Sequence, residues 1–132
     1  MSDATKKRVL IVEDEPDTAL LLRRRLEAEG FEVLNGTDGL EGLNVARREK
    51  PDCIVLDLML PRMDGFKVCS MLKLDSRFRP IPIIMLTARA HAEDRKRALD
   101  VGADVFLTKP CDMKQLAAKI RELVAPGSLP VS

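Results

Sequence analysis

The chain has 132 residues, with 22 Lys and Arg against 21 Asp and Glu, which is length enough for one hydrophobic core without disulfide or metal staples. The near-even balance leaves no basic field for nucleic acid, so direct DNA binding by this domain is not expected. Apolar residues at 45% argue against disorder, and charged residues at 33% argue against a membrane protein.

Residues 1–7 read as an N-terminal extension. The apolar run that follows, Val9 to Val12, is too short for a signal sequence. A first strand is expected over Arg8 to Val12, then a helix from Pro16 to Glu29, with Pro in its first turn and Gly30 after its end. Adjacent helical positions differ by about 100°, so Leu20, Leu21 and Leu22 cannot all face one core. At least one belongs on the surface, as a candidate docking position, and the neighbouring Arg23-Arg24-Arg25 reads as a solvated face.

A second strand is expected over Phe31 to Leu34. Asp38 can cap a helix from Gly39 to Glu49, which Pro51 ends. The apolar run Cys53 to Leu56 is a third strand, and a helix from about Phe66 to Leu74 follows Asp64-Gly65. Then come a strand over Ile83 to Leu86, a helix from about Ala92 to Val101 closed by Gly102, and a strand over Val105 to Leu107. The last helix, Met113 to Val124, is capped by Asp112. Residues 125–132 read as a tail or linker. Five strand and helix pairs with nearly all-apolar strands predict an α/β domain with a parallel sheet over residues 8–124.

The cysteines Cys53, Cys69 and Cys111 are odd in number and widely spaced. That fits neither a disulfide framework nor a zinc site, and points to the reducing cytoplasm. Cys53 reads as a core residue, and Cys111, just after Lys109-Pro110, is the candidate for reactivity. His91, the single histidine, falls in a loop.

In an open parallel sheet, ligands bind beyond the carboxyl ends of the strands. The residues expected there are Glu13-Asp14, Asp57, Thr87 and Thr108-Lys109. Carboxylates held together repel one another unless a cation neutralises them, and a hard divalent ion such as Mg2+ suits oxygen ligands. Asp57 is then placed as an attacking carboxylate, with Lys109 as a point cation and Thr87 as a hydroxyl for a phosphoryl oxygen. Taken singly these residues have plainer readings: Asp14 and Asp17 as helix caps, Lys109 as a surface lysine. Their convergence on one rim favours the site.

The runs VLIVEDEP, VLDLMLPRMDGF, IIMLTARA and GADVFLTKPCD resemble, in order and spacing, the motifs of response regulator receiver domains of two-component signalling, including chemotaxis-type single-domain regulators. The resemblance covers about residues 8 to 124. It implies a five-stranded parallel sheet in flavodoxin-like order 2-1-3-4-5 with helices on both faces. It also implies Asp57 as phosphoacceptor, Asp14 as a direct Mg2+ ligand, Glu13 as a ligand through water, and Met59 as a ligand through its backbone carbonyl. Mn2+ is expected to substitute for Mg2+.

Further implications are Thr87 as switch hydroxyl, Lys109 as phosphate-binding lysine, and a cis Lys109-Pro110 bond. Phe106 stands where an aromatic, often tyrosine, partners the switch hydroxyl. It is expected to turn inward on activation, at lower cost than tyrosine because it has no hydroxyl to keep in water, the plainer alternative being that it merely packs. The implied partners are a sensor histidine kinase or a histidine phosphotransfer protein, and an unidentified output partner or fused effector domain. A phosphorylation-dependent dimer through the fourth helix, fifth strand and fifth helix is a further implied output.

Rival readings are disfavoured by the residues present. A metal-dependent aspartyl-phosphate phosphatase or phosphotransferase needs a second acid two positions after its nucleophile, where this chain has Met59. A pseudo-receiver acting only through protein contacts is disfavoured by the intact acceptor, metal and lysine set.

Overall fold

The computed structural model describes residues 6–89 and 91–125. The elements alternate as expected: β1 Arg8–Val12, α1 Pro16–Ala28, β2 Glu32–Gly36, α2 Gly39–Glu49, β3 Cys53–Leu56, α3 Gly65–Lys73, β4 Ile83–Thr87, α4 Ala92–Asp100, β5 Val105–Thr108 and α5 Met113–Val124. The strands form one parallel sheet in the order β2-β1-β3-β4-β5. Residues 1–5 of the expected extension and residues 126–132 of the expected 125–132 tail lie outside the described residues.

Successive strand residues point to opposite faces of the sheet, and both faces are covered. Leu10, Val12, Ile54, Leu56, Ile83 and Met85 join Leu43, Phe66, Leu72 and Phe106 in one core layer, toward α2 and α3. Val9, Ile11, Val55, Ile84 and Leu86 join Leu22, Leu26, Leu116 and Ile120 in the other, between α1 and α5. Each of these buried aliphatic side chains contributes roughly 1.5–3 kcal/mol by leaving water. Of the three consecutive leucines in α1, Leu22 is buried while Leu20 and Leu21 stay exposed.

Strand ends differ from expectation in a consistent way. β2 runs on through Asn35 and Gly36, which pair with Ile11 and Val12, although those residue types read as loop. Phe31 stays outside the strand and packs into the α1/α5 layer, under the Arg121 guanidinium. β4 and β5 each extend by one threonine, because Thr87 and Thr108 pair across the last rung.

Three helices start on side-chain caps. Asp38 accepts from the Glu41 amide at 2.8 Å, Asp64 from the Lys67 amide at 2.9 Å, and Asp112 from the Lys114 amide at 2.8 Å; each such cap stabilises by about 1 kcal/mol. Gly65 opens α3 because nothing larger fits: a β-carbon there would lie 2.3 Å from the Asp57 carbonyl oxygen and 2.6 Å from the Leu58 α-carbon. The helix start is thereby pressed against the strand end that carries Asp57.

Candidate functional site

β1 pairs with β2 on one side and β3 on the other, so chain order reverses at β1 and leaves a crevice at the carboxyl ends of β1 and β3. Glu13 and Asp14 follow β1 there, and Asp57 follows β3. Carboxylate oxygens of the three acids lie within 4.8 Å of one another. Glu13 and Asp57 are buried and Asp14 is exposed.

Lys109, beyond β5, bridges the two buried acids. Its Nζ donates to Glu13 Oε1 and, at 2.9 Å, to Asp57 Oδ2. The Met59 amide donates to Asp57 Oδ1 at 3.1 Å, and the Glu15 amide to Glu13 Oε2 at 3.1 Å. Burial pushes the Glu13 carboxyl above the ordinary range, against the opposing hydrogen bond from Lys109. For Lys109 burial disfavours the charge, but the hydrogen bonds to Glu13 and Asp57 outweigh it and hold the ammonium above the usual lysine range. The Lys109-Pro110 bond is cis.

Asp14 does not cap α1: the N-cap is Glu15, whose side chain makes no capping bond, and Asp17 sits in the first turn. Thr87 is fully buried, and its Oγ1 accepts from the Arg89 amide at 3.3 Å. Among the described residues no hydrogen bond joins it to the acids. Phe106 is buried, at 5% exposure, with the Arg95 guanidinium 4.9 Å from its ring centroid. Met59 is 52% exposed at the rim.

Cys111, the candidate for reactivity, is a free half-buried thiol that burial pushes up, away from the thiolate that reacts. Cys53 is a core residue whose thiol is pushed up to about 12 by burial.

Three arginine contacts escaped the sequence reading. Arg89 grips the buried Asp94 with two hydrogen bonds, Nε to Oδ2 at 2.9 Å and Nη2 to Oδ1 at 2.8 Å. Arg95 caps Phe106, and Arg97 lies 4.1 Å from the Phe66 ring centroid. The available signal was Asp94 in the acidic first turn of a helix, five residues after an arginine. A cleft of about 490 Å³ opens beside the acids, with Asp14, Met59, Asp64, Arg89 and Arg97 among its lining residues.

Comparison with known proteins places these features in context. The family model described as the response regulator receiver domain matches residues 9–121. The DNA-binding dual master transcriptional regulator RpaA of Synechocystis sp. is 43% identical over 117 residues, covering 89% of this chain and 48% of that protein. The alkaline phosphatase synthesis transcriptional regulatory protein PhoP of Bacillus subtilis is 40% identical, covering 92% of this chain and 52% of PhoP. The chain thus spans about half the length of these relatives.

Among solved structures, the receiver domain of a signal transduction histidine kinase from Syntrophus aciditrophicus superposes with a TM-score of 0.85 at 35% identity, covering 96% of this chain and 94% of that one. The receiver domain of a sensor histidine kinase from Pseudomonas aeruginosa superposes with a TM-score of 0.85 at 29% identity, covering 92% of this chain and 100% of that one. It carries a magnesium ion coordinated in its active site cleft.

Proposed function

This chain belongs to the response regulator receiver domain family, and on that premise we propose that it is a switch set by phosphorylation of Asp57. The observation that carries the reading is the pairing of a buried carboxylate with a half-buried lysine beside two further acids. Asp57 Oδ attacks the phosphorus of a phosphohistidine, the phosphorus–nitrogen bond breaks, and the imidazole leaves with the electron pair. Lys109 compensates charge on the transferred group.

Three acids on one rim offer only oxygen donors, a set that fits a hard divalent cation. Asp14 and Asp57 would hold Mg2+ directly, with the Met59 carbonyl as a third ligand and Glu13 through water; Mn2+ would be accepted in the same set. When bound, the ion neutralises the acids and stabilises negative charge on the phosphoryl oxygens. Thr87, freed from the Arg89 amide, then turns its hydroxyl to the acyl phosphate, and the face formed by α4, β5 and α5 changes shape around the buried Phe106. Water later hydrolyses the acyl phosphate, at a rate set in part by the rim residues Met59 and Arg89.

The donor is a histidine kinase or histidine phosphotransfer protein. Exposed Leu20 and Leu21, with the apolar hollow between α1 and Pro110, give its helices a docking face. The output is an effector domain or separate partner engaging the α4-β5-α5 face, or a dimer through it. A phosphatase reading is weaker, since the exposed Met59 side chain occupies the position of the needed second acid.

The test is incubation with acetyl phosphate and Mg2+, followed by intact-mass measurement. The expected result is one added phosphoryl group on the native chain and none on Asp57→Asn. An adduct that survives the substitution would overturn the assignment.

A further inference from the structure

Arg89 and Asp94 form a two-bond ion pair in which the acid is buried at 5% exposure while the arginine side chain is 41% exposed on the acceptor cleft. Burial of a carboxylate is tolerated only when it is paired, so Asp94 is committed to Arg89. The pair uses Nε–H and one Nη2–H of the five donors on a guanidinium. Three N–H groups therefore remain, on a planar group whose orientation is fixed.

Of the other cations nearby, Lys109 is engaged by Glu13 and Asp57, and Arg97, which also lines the cleft, lies over the Phe66 ring. Asp14 and Asp64 also line the cleft, so an incoming dianion meets repulsion there unless a cation faces it. The Arg89 amide is bonded to Thr87 Oγ1, and the Asp94 amide to the His91 carbonyl.

We infer that Asp94 is a positioning residue for phosphoryl transfer: it holds the Arg89 guanidinium at the cleft mouth, where the free N–H groups capture the phosphoryl oxygens of a small acyl phosphate donor. The inference rests on the reading of Asp57 as acceptor. In the step itself, Asp57 Oδ bonds to phosphorus, the phosphorus–oxygen bond to the acyl group breaks, and acetate leaves with the electron pair. No proton or oxidant is required. Arg89 acts on capture of the donor and Asp94 acts only through Arg89.

The test measures the phosphorylation rate against acetyl phosphate concentration, with Mg2+ present, for the native chain, Arg89→Ala, Asp94→Asn, Asp94→Glu and the double variant Arg89→Ala/Asp94→Asn. Arg89→Ala and Asp94→Asn should each raise the half-saturating concentration roughly three- to tenfold with little change in the limiting rate. The double variant should be no worse than Arg89→Ala, and Asp94→Glu should recover part of the loss.

The inference is overturned if Asp94→Asn lowers the melting temperature but leaves half-saturation unchanged, or if its effect persists undiminished in the Arg89→Ala background. It is equally overturned if Arg89→Ala behaves as native. A native chain that gains no phosphoryl group, or gains it without Asp57, overturns the acceptor reading and this inference together. A native adduct that depends on Asp57 leaves only the roles of Arg89 and Asp94 at stake.

Discussion

The ammonium of Lys109 decides the electrostatics of the site. Without it, Glu13 and Asp57 are two buried carboxylates facing one another, and the desolvation that already pushes Glu13 upward is unopposed by a cation. Lys109→Ala should therefore lower metal-free stability by roughly 1–3 kcal/mol, less than the ~3–5 kcal/mol of breaking a fully buried pair, since the lysine side chain keeps 21% exposure. Urea unfolding in the presence of a chelator measures this. Added Mg2+ should return part of the loss by binding only the folded state. A midpoint identical to native under both conditions would remove the Lys109 bridge from the account. Acids and lysine were all legible from strand ends, whereas the Arg89–Asp94 grip was not: a pair closed across a loop leaves no trace in hydrophobic periodicity.

At the level of elements, α4 differs from its neighbours. It buries only Asp94 and Ala98, whereas α5 buries Leu116, Ala117 and Ile120. Helical stability in proteins comes mostly from a packed apolar face, so α4 is the least anchored of the two and the natural element for a switch to move. Amide hydrogen exchange should be faster through Asp94–Asp100 than through Leu116–Ile120, and phosphorylation should change the first set more. Equal protection in both helices would count against α4 as the responsive element. Gly65→Ala should cost roughly 2 kcal/mol or more by forcing apart α3 and the end of β3, and should slow phosphorylation by displacing Asp57; a native urea midpoint would show that the loop yields instead. The type and order of every element were readable because apolar strands and capped helices announce themselves. Element ends were not, where a polar Asn35 or Thr87 pairs only because a neighbouring strand is there to receive it.

For the molecule as a whole, acid stability follows from its paired carboxylates. Asp94 beside Arg89, Glu29 beside Arg121 and Glu49 beside Arg8 are held below the usual carboxylate range, as is Glu41 by the Thr37 amide and hydroxyl, and Asp75 is lowered to about 2 by Arg77. A carboxyl whose folded value lies below its unfolded value stabilises fully above the unfolded value, and loses that contribution as pH falls through the folded one. Glu13, raised by burial, works in the opposite sense and favours the fold most when protonated. The urea midpoint should therefore fall as pH drops from the ordinary carboxylate range toward about 2, and a midpoint that rose throughout would contradict the dominance of the paired acids.

The fold, the acid cluster and the lysine bridge support the proposed chemical event, transfer of a phosphoryl group to the Asp57 carboxylate. The most direct measurement is to phosphorylate the native chain with acetyl phosphate and Mg2+, reduce the acyl phosphate with borohydride, and map the product by peptide mass spectrometry. Reduction converts an aspartyl phosphate to homoserine. The account predicts homoserine at position 57 alone. Homoserine at Asp14 or elsewhere, with Asp57 unmodified, would contradict it.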